Sequence, residues 1–394
     1  RFFFGGLKDA SPRTIDELKD TVRRTYIATG EPPVVVGAGW GFFLKQHVPE
    51  GRRLFLHKFR GPLSEDKMRW KAGTTIHEVA AALAKLDPPL AFDSHPSLDM
   101  VSIGGAYAMG NHGNGGDLNG GFTRSMDLAV VLDMSSGKTI NLNREELRLL
   151  FDNPDKAATH VVVEVELSMN GLVTNTDVQK KLVWVDSIES AAEWLKPGAY
   201  LRVLFLGYAR KRALGLLWHI PDGNHDHRDP HFGSRFCMSL QADVCSAMCN
   251  LCIESPVKWT GVIDRRNANR FSPTPPFLPS AYIALLLSGT RNYEIVFKYP
   301  EGGMTPIRLH TLVSSLYEMH RVTGGRSEIR VGGTSAASPI FLDVSMSRDF
   351  SKPFSVLKRL GVERVALHPG KMILDTAPLT RAPLAEMYNI RARI

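Results

Sequence analysis

The chain has 394 residues, 43% of them apolar and 22% charged, the composition of a folded globular protein of two or three domains. Its longest apolar runs, such as Ala281–Leu287, are too short for a bilayer-spanning helix. The 48 basic and 40 acidic residues are scattered rather than gathered into one stripe, which argues against sequence-specific reading of nucleic acid. A net charge of +8 and a pI near 9.3 suit a basic binding face or an organellar setting. The chain begins Arg1-Phe2-Phe3-Phe4, without methionine, so processing of a presequence or an incomplete chain is expected.

In chain order, Thr14 offers a cap, and Ile15, Leu18, Val22 and Tyr26 recur at helical spacing, so residues 14–26 read as an amphipathic helix. Glu31-Pro32-Pro33 ends it. Val34–Val36 is a β-branched run that feeds directly into Gly37-Ala38-Gly39-Trp40-Gly41, a buried strand ending in a phosphate-type loop. Short strands are expected at Leu54–His57 and Met68–Lys71. Ala72-Gly73-Thr74-Thr75 then turns into a helix from Ile76 to Leu86.

The stretch Ser102–Gly116 holds six glycines in fifteen residues and reads as a loop. Glycine loses the most backbone freedom on folding, so this density answers a local demand. Close backbone approach to a large anionic ligand is such a demand. Two glycine-rich pieces far apart in the chain suggest one dinucleotide held by two loops; a pair of tight turns is the alternative.

Asp127–Asp133 and Thr139–Leu142, joined by Ser135-Ser136-Gly137-Lys138, read as a hairpin, and His160–Leu167 as a further strand. Beyond Asn170 the pattern changes to longer helices, Ser187–Leu195 and Thr311–His320, with irregular stretches rich in His, Pro and Arg. A domain boundary is expected there. No internal repeat is visible, and no segment is biased enough to suggest disorder.

A Rossmann fold does not fit. Phe42 stands where the third fingerprint glycine belongs, the strand Leu54–His57 lacks the acidic residue that holds a ribose, and no regular βαβ alternation follows.

The order of the pieces instead resembles the vanillyl-alcohol-oxidase-type (PCMH-type) FAD-binding family, and most closely its aldonolactone oxidase/dehydrogenase and alditol oxidase branch. The helix 14–26, Val36–Gly41, Lys71–Thr75, Ser102–Ala106, Asn111-His112-Gly113-Asn114-Gly115 and Met126–Leu132 carry the resemblance. It returns near the C-terminus at Glu328-Ile329-Arg330, similar to the branch's Glu-x-Arg pair, and at His368-Pro369-Gly370-Lys371, similar to its His-Trp-Gly-Lys motif.

The resemblance implies an α+β fold in three parts: a two-lobed PCMH-type FAD-binding domain over 1–170, an α+β substrate (cap) domain with an antiparallel sheet over 171–372, and a segment 373–394 that returns toward the first domain. FAD is the implied cofactor. Its binding residues would be Val36, Gly37, Ala38, Gly39, Trp40, Gly41, Ser102, Ile103, Gly104, Gly105, Ala106, Asn111, His112, Gly113, Asn114, Gly115 and Val161. The diphosphate would lie on the amides of 37–41 and 102–106. Glu328, Arg330 and Lys371 would be catalytic in hydride transfer from a sugar-derived alcohol or lactone. The spacing of Glu328 and Arg330 puts both on one face of a strand, where a carboxylate can accept a hydroxyl proton and a cation can stabilise developing charge. A salt-bridged strand face and a surface lysine are the alternative.

Several residues depart from the family pattern. Trp40 replaces the histidine that carries flavin covalently in many relatives, so dissociable FAD is expected. Asn153–His160 lacks the glycines usual before the last strand of the FAD domain, Pro369 replaces tryptophan, and the chain stops soon after Ala385-Glu386-Met387-Tyr388, where relatives run on. These departures keep open a second reading, a catalytically reduced subunit with a structural or assembly role in a larger mitochondrial complex. Cys237, Cys245, Cys249 and Cys252 lack the paired C-x2-C spacing of zinc sites and read as buried helix thiols of a reducing compartment. His219, His225, His227 and His231, among acidic residues, read as an irregular solvated loop rather than a metal site.

Overall fold

The computed structural model describes residues 10–38, 53–96, 99–113, 121–175, 177–185, 187–195, 200–204, 213–219, 259–264, 291–299, 302–323, 326–331, 340–346, 351–362 and 365–367. Lys371, Gly39, Trp40, Gly41, Asn114, Gly115 and the Cys237–Cys252 cluster lie outside them, as do His225, His227, His231 and the 373–394 segment.

The first helix, α1 (Ile15–Thr29), begins where Thr14 accepts a hydrogen bond from the Glu17 amide and ends at Gly30 in the left-handed conformation (φ 71°). It runs three residues beyond the expected Tyr26, because no breaker precedes Gly30. Leu18 and Val22 of α1 are buried with Leu54, Leu132, Val161 and Val163. Strand β1 (Val34–Val36) pairs in parallel with β2 (Arg53–Phe55). His57 lies past that strand, in the 3-10 turn Leu56–Lys58.

The second lobe is a four-stranded antiparallel sheet in the order β3 (Arg69–Lys71), β7 (His160–Leu167), β5 (Met126–Asp133), β6 (Thr139–Asn143). Helix α2 (Ile76–Leu83) starts with a capping box between Thr75 and Glu78 and buries Ile76, Val79, Ala80 and Leu83. Strand β4 (Leu90–Phe92) follows it. Part of the glycine run is helical rather than loop: α3 covers Ile103–Ala108. Its buried Ile103, Ala106 and Tyr107 face the core, which stabilises a short helix that its two glycines alone would not favour. Asn143 and Asn153 cap two further helices, α4 (Arg144–Asp152) and α5 (Pro154–Thr159), so the glycine-free segment 153–160 turns into a helix and β7. After the turn Met169–Gly171, β8 (Leu172–Thr174) pairs back onto β4.

The chain then builds an eight-stranded sheet, antiparallel at every described pairing. Its strands are β9 (Asp177–Val185), β10 (Tyr200–Leu204), β11 (Ala213–His219), β12 (Trp259–Asp264), β13 (Arg291–Phe297), β14 (Arg326–Val331), β15 (Ile340–Met346) and β16 (Val365–Leu367), in the spatial order β12-β9-β11-β10-β14-β15-β13-β16. Helices α6 (Ile188–Trp194), α7 (Pro306–Thr323) and α8 (Ser351–Arg359) accompany it. Ile295, Phe297, Ile329, Val331, Ile340, Leu342 and Val344 pack in one core with Leu309, Leu312 and Leu316 of α7 and Val356 and Leu357 of α8. One sheet face is therefore covered by helices. The alternate positions of the same strands, Glu294, Val296, Arg330 and Phe341, form the other face. Among the described residues, no helix is long and apolar enough to cross a membrane.

Candidate cofactor site

The two glycine-rich pieces meet. A Cβ placed on Gly37 would lie 2.0 Å from the Ser102 Oγ and 3.0 Å from its Cβ. So the turn after β1 and the start of α3 are in direct backbone-to-side-chain contact, and only glycine fits at 37. Val36, just before it, is buried. Ser102 is itself buried, and its side chain makes no capping hydrogen bond to α3.

The backbone around Ser102 is already partly committed. The Ile103 amide donates to the Thr74 carbonyl (2.7 Å), the Gly104 amide to Ala72 (3.0 Å) and the Ala106 amide to Ser102 (2.9 Å). These bonds fasten α3 to the turn Ala72–Thr75, and a Cβ on Gly104 would sit 2.5 Å from that of Ala72. They also take three of the five amides of 102–106 away from a ligand, while the Ser102 side chain lies against Gly37. A Cβ at 105 would be 2.9 Å from the Ser102 Oγ. Behind α3, the Tyr107 hydroxyl meets the Ser125 Oγ at 2.7 Å and its ring stacks on Phe122 at 4.8 Å. Burial pushes the Tyr107 phenol well above its usual range, against the opposing pull of the Ser125 hydrogen bond, so it stays a neutral anchor.

The far end of the run is held by Ser94–Pro96. Gly113 bridges to Pro96, and a Cβ there would come within 2.6 Å of both the His95 carbonyl oxygen and the Ser94 Oγ. The Ser94 Oγ is buried with no hydrogen-bond partner in the protein. Ala38 and Asn111 lie on the exposed sides of the two turns, half-buried, and the Asn111 amide donates to the Ala106 carbonyl at 2.7 Å. Val161 lies apart, buried under α1 on β7.

His112 reaches across to the large sheet. Its ring stacks on Phe341 of β15, with centroids 3.6 Å apart and planes 8° from parallel. Its Nε2 is 3.0 Å from the Glu294 Oε2, and its Nδ1 is 3.1 Å from the Gly113 carbonyl oxygen. Glu294 is fully buried and Arg330 is 5% exposed, and both lie on the sheet face opposite the one on which the described helices pack. The first domain meets that face through His112, at Glu294 and Phe341. Arg330 stands directly opposite Phe341, and Glu328 opposite Asp343 and Leu204. The structure thus brings Arg330, Phe341, Glu294 and His112 into one neighbourhood between the domains.

Residues 9–143 match the family model described as FAD binding domain. The contact of Gly37 with Ser102, and the Ser94 hydroxyl without a protein partner, suit a diphosphate-bearing ligand. The fold is the PCMH-type FAD-binding fold. FAD is the cofactor for which this PCMH-type domain is built. No curated protein sequence matches the chain. Among solved structures it is similar to the xylooligosaccharide oxidase of Myceliophthora thermophila C1 in complex with xylobiose, with TM-score 0.60 and 13% identity over 96% of this chain and 85% of that one. It is also similar to 6-hydroxy-D-nicotine oxidase of Arthrobacter nicotinovorans (TM-score 0.56, 13% identity, 99% and 89% covered) and to Physcomitrella patens BBE-like 1 (0.57, 10%, 93% and 83%). At these identities the likeness is one of PCMH-type fold.

Glu294, Ser94 and Phe341 were not legible as site residues. Glu294 alternates with Ile295 and Phe297 in β13, a pattern that reads as a solvent-facing position. In the folded protein His112 of the glycine run lies against it.

Proposed function

We propose that the protein is an FAD-dependent oxidoreductase of the aldonolactone oxidase/dehydrogenase type, oxidising a CH–OH group of a sugar-derived alcohol or lactone with dissociable FAD. The single observation that supports it best is the burial of Arg330 on the sheet face turned toward the FAD-binding domain. A guanidinium keeps its charge at any working pH, so Arg330 places a fixed positive charge on that face. FAD, when bound, would supply the hydride acceptor for oxidation of the substrate carbon. In the same event the Glu328 carboxylate takes the hydroxyl proton, and the substrate C–O bond becomes a carbonyl. Arg330 holds and polarises the substrate oxygen, and Lys371 supplies a second cation. Amides and hydroxyls at Gly37, Ser102 and Gly105 would bind the diphosphate.

The neighbours named above include an oligosaccharide oxidase, which favours a polyhydroxylated substrate for this chain. Trp40, where a covalent histidine would stand, supports a dissociable cofactor. The test is an absorption spectrum of the purified protein, followed by anaerobic bleaching with aldonolactones and polyols. Arg330→Ala should lower the bleaching rate by about 10²–10³-fold with the flavin still bound; an unchanged rate removes Arg330 from the mechanism. Pro369 and the net charge of +8 favour a second reading, a mitochondrial assembly subunit. Bound flavin that none of these substrates reduces would support that reading instead.

A further inference from the structure

The contact between His112 and Glu294 poses a proton inventory. His112 Nδ1 faces a carbonyl oxygen, which can only accept, so the proton of a neutral ring belongs on Nδ1. Nε2 then faces the Glu294 Oε2 at 3.0 Å, and that contact is a hydrogen bond only if a further proton lies between them. Both side chains are out of water, with Glu294 at 0% and His112 at 6% exposure. A buried carboxylate against an unprotonated ring nitrogen would be lone pair against lone pair, so the pair holds that proton in common. Stacking on Phe341 fixes the remaining freedom of the ring.

His112 belongs to the glycine run, and Glu294 to a strand of the other domain, 182 residues away. We infer that Glu294 is a positioning residue for the cofactor loop. By sharing a proton with His112 it holds the Asn111–Gly113 turn in its ligand-ready conformation, and it ties the retention of FAD to the docking of the second domain. This rests on the FAD reading given above.

The test uses full-length apoprotein titrated with FAD, with flavin fluorescence as the readout. Glu294→Leu keeps the volume and removes the acceptor, and the FAD Kd should rise about ten-fold or more, the equivalent of one hydrogen bond to a charged group. Glu294→Gln, whose amide N–H can donate to Nε2, should restore the Kd to within about three-fold. His112→Phe, which keeps the stack on Phe341, should match Glu294→Leu, and the double variant should be no worse than either. Wild-type affinity in Glu294→Leu or in His112→Phe overturns the inference, as does failure of Glu294→Gln to rescue. Should Glu294→Leu not fold, Glu294→Gln in the His112→Phe background decides, because with no ring nitrogen to serve it must leave the Kd of His112→Phe unchanged. A double-mutant cycle on urea unfolding of the apoprotein separates the two ideas. If wild-type protein takes up no FAD while the pair remains coupled, the cofactor reading has failed; if FAD binds and the pair is uncoupled, this inference alone has.

Discussion

Gly37→Ala examines the meeting of the two glycine-rich turns directly. The added methyl would lie 2.0 Å from the Ser102 Oγ and 3.0 Å from its Cβ. Carbon contacts settle near 3.5–4.0 Å, so the turns would have to separate by roughly 1.5 Å, or the hydroxyl would have to swing away. Rotation relieves the first contact and leaves the second, because the Ser102 Cβ does not move with it. The neighbours that would have to yield are firmly tied: Ser102 is buried, Ile103 and Gly104 donate to Thr74 and Ala72, and Thr75 bridges to Ser102. Overpacking of this kind costs about 1–3 kcal/mol, or roughly 5- to 150-fold in the folding constant. Urea unfolding of the apoprotein measures it, and titration with FAD should show weakened binding in the same variant. Ser102→Gly removes both clashing atoms. Because Ser102 makes no capping bond, glycine there costs only a few tenths of a kcal/mol, about the value for an N-cap Gly. Gly37→Ala/Ser102→Gly should therefore recover most of the lost stability. A Gly37→Ala variant within about 0.5 kcal/mol of wild type, or a double variant no better than the single, would refute the packing of these turns and the cofactor site built on it.

Two further outcomes follow from local geometry. Thr75→Ala breaks the capping box of α2, in which Thr75 Oγ1 accepts from the Glu78 amide at 3.2 Å and the Glu78 Oε2 accepts from the Thr75 amide at 2.9 Å. It should lower stability by about 1 kcal/mol in urea unfolding, with Thr75→Ser close to wild type. Asp133 closes the β5–β6 hairpin. Partial burial pushes its carboxyl up, but bonds from the Ser135 hydroxyl and amide (2.6 and 2.9 Å) and the Ser136 hydroxyl (2.7 Å) outweigh this and hold it at about 2. A depressed folded-state value adds stability that is full above the unfolded value near 3.9 and is lost as pH falls toward 2. The advantage of wild type over Asp133→Asn in thermal melts should thus be largest at neutral pH and shrink between about pH 4 and pH 2, staying near 1 kcal/mol or less because the site is solvent-screened. An advantage that grows on acidification would contradict this account.

Local grammar made most of the first domain legible. Thr14 and Thr75 as caps, the β-branched runs of β1, β5 and β7, and the turn at Ser135–Lys138 all express themselves within a few residues, and the structure places elements there. The helix at Ile103–Ala108 was not legible, since its two glycines argue for a loop and only burial of Ile103, Ala106 and Tyr107 reverses that. Helices α4 and α5 announce themselves by Asn143 and Asn153, caps that read equally well as turn residues until a core lies beneath them. The large sheet was expected from a resemblance and not from strand periodicity. Pairings such as Glu328 with Leu204, or Glu294 with Asp343, join strands far apart in the chain, and no local pattern carries that register.

What the amino-acid order alone determined is that two stretches, near residues 37 and 102–113, answer a local demand for close backbone approach or tight turning, because glycine so dense costs backbone freedom on folding. Only the three-dimensional arrangement decided that these stretches touch one another at Gly37 and Ser102, and that a polar strand position, Glu294, ends up fully buried against His112. The reason is the range of the forces involved. Backbone propensity acts between neighbours in the chain, whereas burial of a charge and its partner depends on surfaces that do not exist until both domains have folded and met.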